Sequence, residues 1–273
     1  MKIKFLKYLS YFVLVIFATT FIYPFLWMIS ATLKPEIEIQ YPNLIPSEIS
    51  LKSYYNVFMK IPIGRSFFNS LFVSGAVTGL VLISSSMVGY ALAQLKFRGR
   101  ELLFSIMLLT MMIPFQVTLI PMYVLMVKFG WVNTYMSLIF PAMISVFGIF
   151  LLRQYFKAFP KELIEAARLD GCSEIYIVFK LVWPNSIPGL VTVGIITFMN
   201  SWNDVLWPII VIRKQELMTM PQLVTLFATG GQADAQMGTI LAAATLLAIP
   251  VVILYLVFQR QFIESMASSG IKG

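Results

Sequence analysis

Two short stretches hold most of the residues able to do chemistry. Asp204, preceded by Trp202 and Asn203, is the one Asp, Glu, Lys or Arg inside an otherwise apolar run. An ionisable side chain in such a run is a candidate functional group. A carboxylate, a carboxamide and an indole together could hydrogen-bond to and stack against a polyhydroxylated ligand. The same residues could equally lie at an interface and anchor a helix end. The second stretch is Glu165-Ala166-Ala167-Arg168-Leu169-Asp170-Gly171, followed by Leu181-Val182-Trp183-Pro184. It is charged and helix-forming, it stands between long apolar runs, and its chemistry is docking. Covalent and metal chemistry find little to work with. There is no His, and the single cysteine, Cys172, excludes an internal disulfide and a Cys-rich metal site. No Gly-Lys dipeptide occurs, so the usual phosphate-loop lysine is missing too.

The elements that must position these residues follow from composition. Of 273 residues, 59% are apolar and 12% charged, against about 25% charged in a soluble domain. The formal charge of +8 falls in short clusters between apolar runs, which is the pattern of a membrane protein rather than of a nucleic-acid binder. Stretches free of Asp, Glu, Lys and Arg run over 8–33, 66–95, 102–127, 129–152, 181–203 and 235–259. Each exceeds the roughly 20 residues that cross a bilayer core as a helix. Backbone groups in lipid must be satisfied within the segment, so an all-α polytopic membrane protein with six transmembrane helices is expected. The fifth run is expected to continue past Asp204 to Ile212, and the first to be a retained anchor rather than a cleaved signal. Six spans put both termini on one side. With the N-terminus inside, thirteen of the 20 Lys and Arg fall on inner segments, which favours cytoplasmic termini. Trp27, Trp131, Trp202 and Trp207 then fall near the outer ends of spans, as an aromatic belt would.

Several features admit two readings. Pro24, Pro114, Pro121, Pro141, Pro208 and Pro250 lie within or beside spans. Membrane helices tolerate proline, yet the pair Pro114 and Pro121 in one run suggests a helix that bends. Ser74, Gly75, Gly79, Ser84, Ser85, Ser86 and Gly89 in the second run suit close helix packing. Residues 34–65 are rich in Pro and Tyr, and Tyr54, Tyr55, Val57 and Phe58 suggest a short interfacial helix, either a docking surface or a linker. In the long inner segment 153–180, Pro160 is placed to start a helix and Gly171 to end it, with strong helix formers between. Leu163, Ala166, Ala167 and Asp170 recur at three- and four-residue spacing, which is expected to set the alanines on a common face. Ser173 could cap a second helix leading into the fifth span. The result is either a short helix hinged by glycine to a span, able to relay a push, or an ordinary amphipathic interfacial helix.

At these residues the sequence resembles the EAA loop of ABC importer permeases of the type I fold: Glu165-Ala166-Ala167, Gly171 four positions on, an aliphatic at 181 and Pro184. Trp183 departs from the family's Ile-x-Leu-Pro ending. The likeness covers nearly the whole chain. "SWNDVLWPIIV" at 201–211 looks like the fifth-span signature of the carbohydrate branch, and "LIPSEISLKSYYNVF" at 44–58 also resembles that branch. "FQRQFIESMASSGIKG" at 258–273 is similar to the ending of maltose-transporter permeases with six spans. The resemblance implies a permease subunit of a bacterial sugar importer in the cell membrane. It further implies a second homologous permease, two ATPase subunits that bind ATP and Mg, and an extracytoplasmic solute-binding protein. This chain would hold no cofactor and would not be an enzyme. The expected division is an anchor helix and outer segment over 1–65, a permease core over 66–260 with a coupling helix at about 160–171, and a cytoplasmic tail over 261–273. Glu165, Ala166, Ala167, Asp170, Gly171 and Pro184 would serve ATPase coupling. Trp202, Asn203 and Asp204 would be candidates for the translocation path, and residues 213–237, with Gly230 and Gly231, an outer loop reaching toward the binding protein.

The principal rival is an ion-coupled secondary transporter using Asp204. Ion coupling ordinarily places carboxylates, Lys or His inside the bundle, and here Asp204 stands alone. A membrane enzyme would need a cluster of catalytic residues, and a channel a filter-like repeat; neither is visible.

Overall fold

In the computed structural model, residues 2–229 and 236–270 are described, with side chains over 7–229 and 236–259. The described residues form helices and turns and no strand. Three helices are long and apolar enough to cross a bilayer unbroken: Lys7–Thr32 within α1 (Lys2–Thr32), α3 (Ile63–Gln94), and Met237–Gln259 within α13 (Met237–Gly270). The other three apolar runs are bent pairs. They are α4 (Arg100–Thr110) with α5 (Phe115–Lys128), α6 (Tyr135–Ile139) with α7 (Val146–Lys157), and α9 (Glu174–Tyr176) with α10 (Ile187–Trp202). Counted as one span each, they bring the total to six.

Each bend has a local cause. Between α4 and α5 the axis turns by 98°. Pro114, extended at φ −61°, ψ 137°, stands just before α5 and has no N–H to continue α4. Pro121 lies inside α5 without ending it. Between α6 and α7 the bend is 42° and contains a 3-10 turn over Phe140–Ala142. After α9 the chain runs as a π-helix over Ile177–Val182, with the Trp183 N–H donating to Val178 O at 2.9 Å. Pro184 then opens a 3-10 turn, and the pair bends by 49°. The expected continuation of the fifth span to Ile212 does not occur. Asn203 ends α10, and a separate short helix, α11 (Leu206–Val211), follows.

The chain divides into two compact units. One comprises Met1–Arg65 with Leu223–Ile249. Its segment after α1 contains α2 (Lys52–Lys60), the expected short helix, with Val57 buried and Tyr55 and Phe58 exposed. Glu36 accepts the Gly238 N–H, and Asn56 Nδ2 donates to Gln236 Oε1 at 2.7 Å. The Ser47 hydroxyl donates to Glu38 at 2.7 Å and holds that carboxyl below its usual range.

The other unit, Ser66–Gln222 with Pro250–Gly273, carries both candidate sites. Its core gathers α3, α7, α10 and the segment around α8 (Lys161–Leu169). Helix α7 is the hub, and small residues let its neighbours approach. A Cβ at Gly89 would meet the Arg153 backbone nitrogen at 3.2 Å, and one at Gly189 would sit 2.6 Å from the Tyr155 ring. A Cβ at Gly148 would lie 2.7 Å from Ser85 Oγ. The packing reading of the α3 small residues holds at Ser85 and Gly89, whereas Gly75 and Gly79 face open space. At about 1.5 Å per residue, α3 is roughly 48 Å long, well beyond the ~30 Å hydrocarbon core. Its last turns therefore reach the level of α8.

Candidate functional site

Helix α8 forms because strong helix formers follow Pro160, and it stops because Asp170 and Gly171 leave the helix. Gly171 adopts φ +80°, a left-handed conformation that glycine takes without Cβ strain. The Cys172 N–H donates to Ala167 O and the Gly171 N–H to Arg168 O, both at 3.0 Å. That bond pair is the Schellman turn, which satisfies carbonyls left open at a helix end. Ile164 is 2% exposed and fixes the inner face of α8, with Ala167 partly buried beside it. Burial of an Ile side chain stabilises by about 1.5–3 kcal/mol. Leu163, Glu165, Ala166 and Asp170 point outward with Leu169, which is 90% exposed. The two alanines therefore do not share a face: Ala166 is free for a partner, and Ala167 packs on the core.

A charged clasp ties α8 to two neighbours. Arg168 Nε donates to Glu174 Oε1 at 2.7 Å, and the Tyr90 hydroxyl, from α3, donates to Glu174 Oε2 at 2.6 Å. The Glu174 carboxylate hydrogen-bonded to it holds the Arg168 guanidinium above its usual range. Ser173 caps α9 by accepting the Tyr176 N–H at 3.3 Å, as the sequence suggested. Glu165 lines a cavity of about 510 Å³ with Lys96, Arg100 and Lys161. Trp183, where the sequence departs from the family pattern, donates its indole N–H to Ser86 on α3 at 2.8 Å. Pro184 is exposed at the bend.

Close by, Arg153 is 2% exposed. Its guanidinium donates to both Glu101 oxygens, at 2.8 and 2.7 Å, and lies 3.7 Å over the Phe104 ring. Its Nε donates to Leu92 O at 3.2 Å, so one residue pins α3, α4 and α7 together. Tyr90, Glu174 and Arg153 were missed by sequence reasoning. The available signal was a charge at each edge of an apolar run, where a long-range partner is to be sought.

At the far end of α10 the three residues Trp202, Asn203 and Asp204 part company. Trp202 is fully buried, stacked on Phe198 at 5.8 Å and edge-on to Phe67 at 5.7 Å. Trp207 is buried as well and donates to Ser137 O at 2.7 Å. These two indoles belong to the packed interior rather than to an aromatic belt. Asn203 is exposed and donates back to Met199 O at 2.9 Å. Asp204 accepts the Trp207 N–H at 3.4 Å, near the start of α11. It also lines a cavity of about 340 Å³ with Thr197, Asn200, Ser201, Ser145 and Thr219, walled by Val73, Val77 and Val81 of α3. Asp204 thus both accepts a backbone bond at the start of one helix and lines a cavity.

The segment after α11 is strapped down. Asn133, at φ 59°, accepts the N–H groups of Arg213 and Lys214 at 2.5 and 3.1 Å. Asn69 donates to Glu216 O and Met218 O at 3.0 and 2.9 Å. Helix α12 (Met220–Thr229) follows, and Gly230 and Gly231 lie outside the described residues. Among the described residues no group of three metal-ligating side chains occurs.

Comparisons with known proteins bear on the family and the fold. Residues 85–268 match the family model described as "Binding-protein-dependent transport system inner membrane component". The chain is 37% identical to the arabinooligosaccharides transport system permease protein AraQ of Halalkalibacterium halodurans, over 92% of this chain and 91% of that one. It is 31% identical to the lactose transport system permease protein LacG of Rhizobium radiobacter, over 95% and 94%. Among solved structures, a chain of a bacterial ABC transporter involved in the import of the acidic polysaccharide alginate superposes with a TM-score of 0.85 at 24% identity. The match covers 94% of this chain and 96% of that chain and speaks for a shared fold.

Proposed function

We propose a function from one premise: the chain belongs to the family of inner membrane components of binding-protein-dependent transport systems. It is a membrane-embedded permease subunit of an ATP-driven importer, a transporter component and not an enzyme. The cargo is a sugar, as it is for the arabinooligosaccharide and lactose permeases it resembles. Its partners are an ATPase and a solute-binding protein. In finer detail, the complex holds two ATPase subunits that bind ATP and Mg, a second homologous permease, and membrane lipid around the apolar spans. Both termini are cytoplasmic, which puts α8 on the ATPase side and the segment after α11 on the binding-protein side. Residues 1–65 serve as anchor and outer segment, 66–260 as the permease core and 261–273 as a tail.

The observation that carries the coupling assignment is α8 itself. It is a short helix seated on the core by Ile164, ended by Gly171 in a left-handed turn, and free on the face bearing Leu163, Ala166 and Leu169. A cleft in the ATPase receives that face, with Ala166 allowing close approach and Glu165 and Asp170 making polar contacts. Closure of the ATPase pair around ATP displaces α8. The Schellman turn, the Arg168–Glu174–Tyr90 clasp and Pro184 pass the displacement to α3 and α10. ATP biases the equilibrium to the extent that it binds one state better than the other. Relatives and structural neighbours give no support to the ion-coupled alternative.

Purification of this chain from its native cell in mild detergent, with identification of bound proteins and an ATPase assay, tests the reading. A co-purifying ATPase and second permease are expected, both weakened by Glu165→Ala and Gly171→Pro. A chain that purifies alone, without ATPase activity, defeats it.

A further inference from the structure

The cavity beside Asp204 has a chemistry narrower than "sugar". Its polar lining comes from Ser145, Thr197, Asn200, Ser201 and Thr219, with Asp204 as the single charged group. No Lys or Arg is among the described lining residues. Hydroxyls and a carboxamide both donate and accept, which matches a ligand that itself carries hydroxyls. The α3 valines in the same lining suit the C–H faces of a sugar ring.

We propose that this cavity is a subsite for a hydroxyl-bearing unit of an uncharged glycan, and that Asp204 makes it turn away anionic sugars. The assignment rests on the sugar-importer reading above and refines it. Sites that hold phosphates or carboxylates do so with Arg or Lys, whose charge and donor geometry complement the anion. This cavity has the reverse. A sugar phosphate, sulfonate or uronate entering it would bring a second negative charge beside Asp204 in a partly desolvated space, where like charges repel far more strongly than in water. A neutral oligosaccharide meets no such barrier, and Asp204 can accept its hydroxyl protons.

The charge arm of the test works whatever the natural cargo is. The complex is assembled with its partner subunits in nanodiscs, carrying Cys172→Ser, which removes the chain's single cysteine, and Asn200→Cys as a reporter. Modification of this chain is followed by mass spectrometry, using a cationic and an anionic methanethiosulfonate. Each rate is divided by that reagent's rate with a small free thiol. The cationic reagent is expected to be faster by about tenfold or more, and Asp204→Asn should bring the ratio toward unity. Equal normalised rates, or a ratio unmoved by Asp204→Asn, overturns the charge filter. Arabinobiose should slow modification and glycerol 3-phosphate should not. Equal slowing by both, or by neither, overturns the assigned ligand class. ATP-driven uptake by the unmodified complex is measured alongside. Its absence strikes the importer reading itself, whereas uptake with a failed labelling pattern strikes the subsite alone.

Discussion

Around α8, position is set by ions, a bidentate carboxylate and a left-handed glycine; around the Asp204 cavity it is set by stacked rings and a valine wall. The first region keeps its charges at the surface, where Arg168 and Glu174 retain 36% and 42% exposure of their side chains. The second buries Trp202 and Trp207 and keeps one carboxylate. The difference teaches what each end is for. On the function proposed above, the part that is pushed needs stiff, directional links to its neighbours, and the part that passes a solute needs a shaped wall with few polar groups and no strong grip. Substitutions at the first end should therefore damage coupling at little cost to the fold. Core substitutions at the second should damage the fold, and lining substitutions only the handling of the ligand.

The largest effect is expected at Gly171. Proline fixes φ near −65°, whereas the turn holds +80° and needs the Gly171 N–H for its bond to Arg168 O. Gly171→Pro should abolish uptake and ATPase association while the protein still inserts in the membrane, as read by transport assay, co-purification and membrane fractionation. Nothing lies within 4 Å of a Cβ built there, so bulk is not the obstacle. Gly171→Asn, which tolerates the left-handed region, should keep most of the uptake. Equal loss in both variants would mean that the surface of the turn, not its conformation, matters.

Next in size is Trp202. Truncation of a buried Trp typically costs about 3–5 kcal/mol, so Trp202→Ala should lower the amount of folded protein, measured as detergent-resistant monodisperse material and melting temperature. Trp202→Phe should restore both and leave the KM for uptake unchanged, since the ring does not line the cavity. A raised KM with normal folding would move Trp202 into the solute path and dissolve the contrast between the two ends.

These two residues also mark what the sequence made legible. The segment proposed for coupling stands out in the sequence because it is local: helix formers, a glycine stop and a fixed spacing to Pro184 lie within about two dozen positions, and charge among apolar runs draws the eye. Counting charge-free runs located the spans. It could not see that the third turns by 98° at Pro114 while Pro121 leaves its helix intact, because the outcome depends on whether the neighbouring backbone is helical. The cavity was nearly illegible. Ser145, Asn200 and Thr219 come from three separate stretches, and periodicity tells which residues share a face, not which faces meet. Adjacency to Asp204 pointed to Trp202 and Asn203, whereas the helix turns them elsewhere and presents Asn200 and Ser201 instead.

A smaller effect is expected in the clasp. Because both partners of the Arg168–Glu174 pair are more than a third exposed, the pair contributes less than about 1 kcal/mol to stability. Glu174→Gln should therefore leave the melting temperature nearly unchanged. It removes the charge that holds Arg168, and with it a stiff link from α8 to Tyr90 on α3. Uptake per ATP hydrolysed should fall, because less of the displacement of α8 reaches α3. Tyr90→Phe, which removes the α3 bond and leaves the ion pair, should fall between this variant and the native chain. A variant that melts early while keeping its uptake-to-hydrolysis ratio would make the clasp a fold device and erase the distinction drawn above.

The smallest effect tests the cavity from the ligand's side. Asn200 lines the space that Asp204 faces and sits one helical turn before it, so its carboxamide and the carboxylate present themselves to the same solute. One hydrogen bond of this kind is worth about 0.5–1.5 kcal/mol net, which corresponds to a few-fold change. Asn200→Ala should therefore raise the KM for uptake a few-fold in reconstituted vesicles loaded with the binding protein. ATPase association, melting temperature and the Gly171-dependent coupling should stay as they are. A path that must release its cargo cannot hold it tightly at any single residue, so a modest KM effect is what a wall should give. A loss comparable to that of Gly171→Pro would show that Asn200 takes part in the motion itself, joining two ends that the geometry otherwise keeps apart in role.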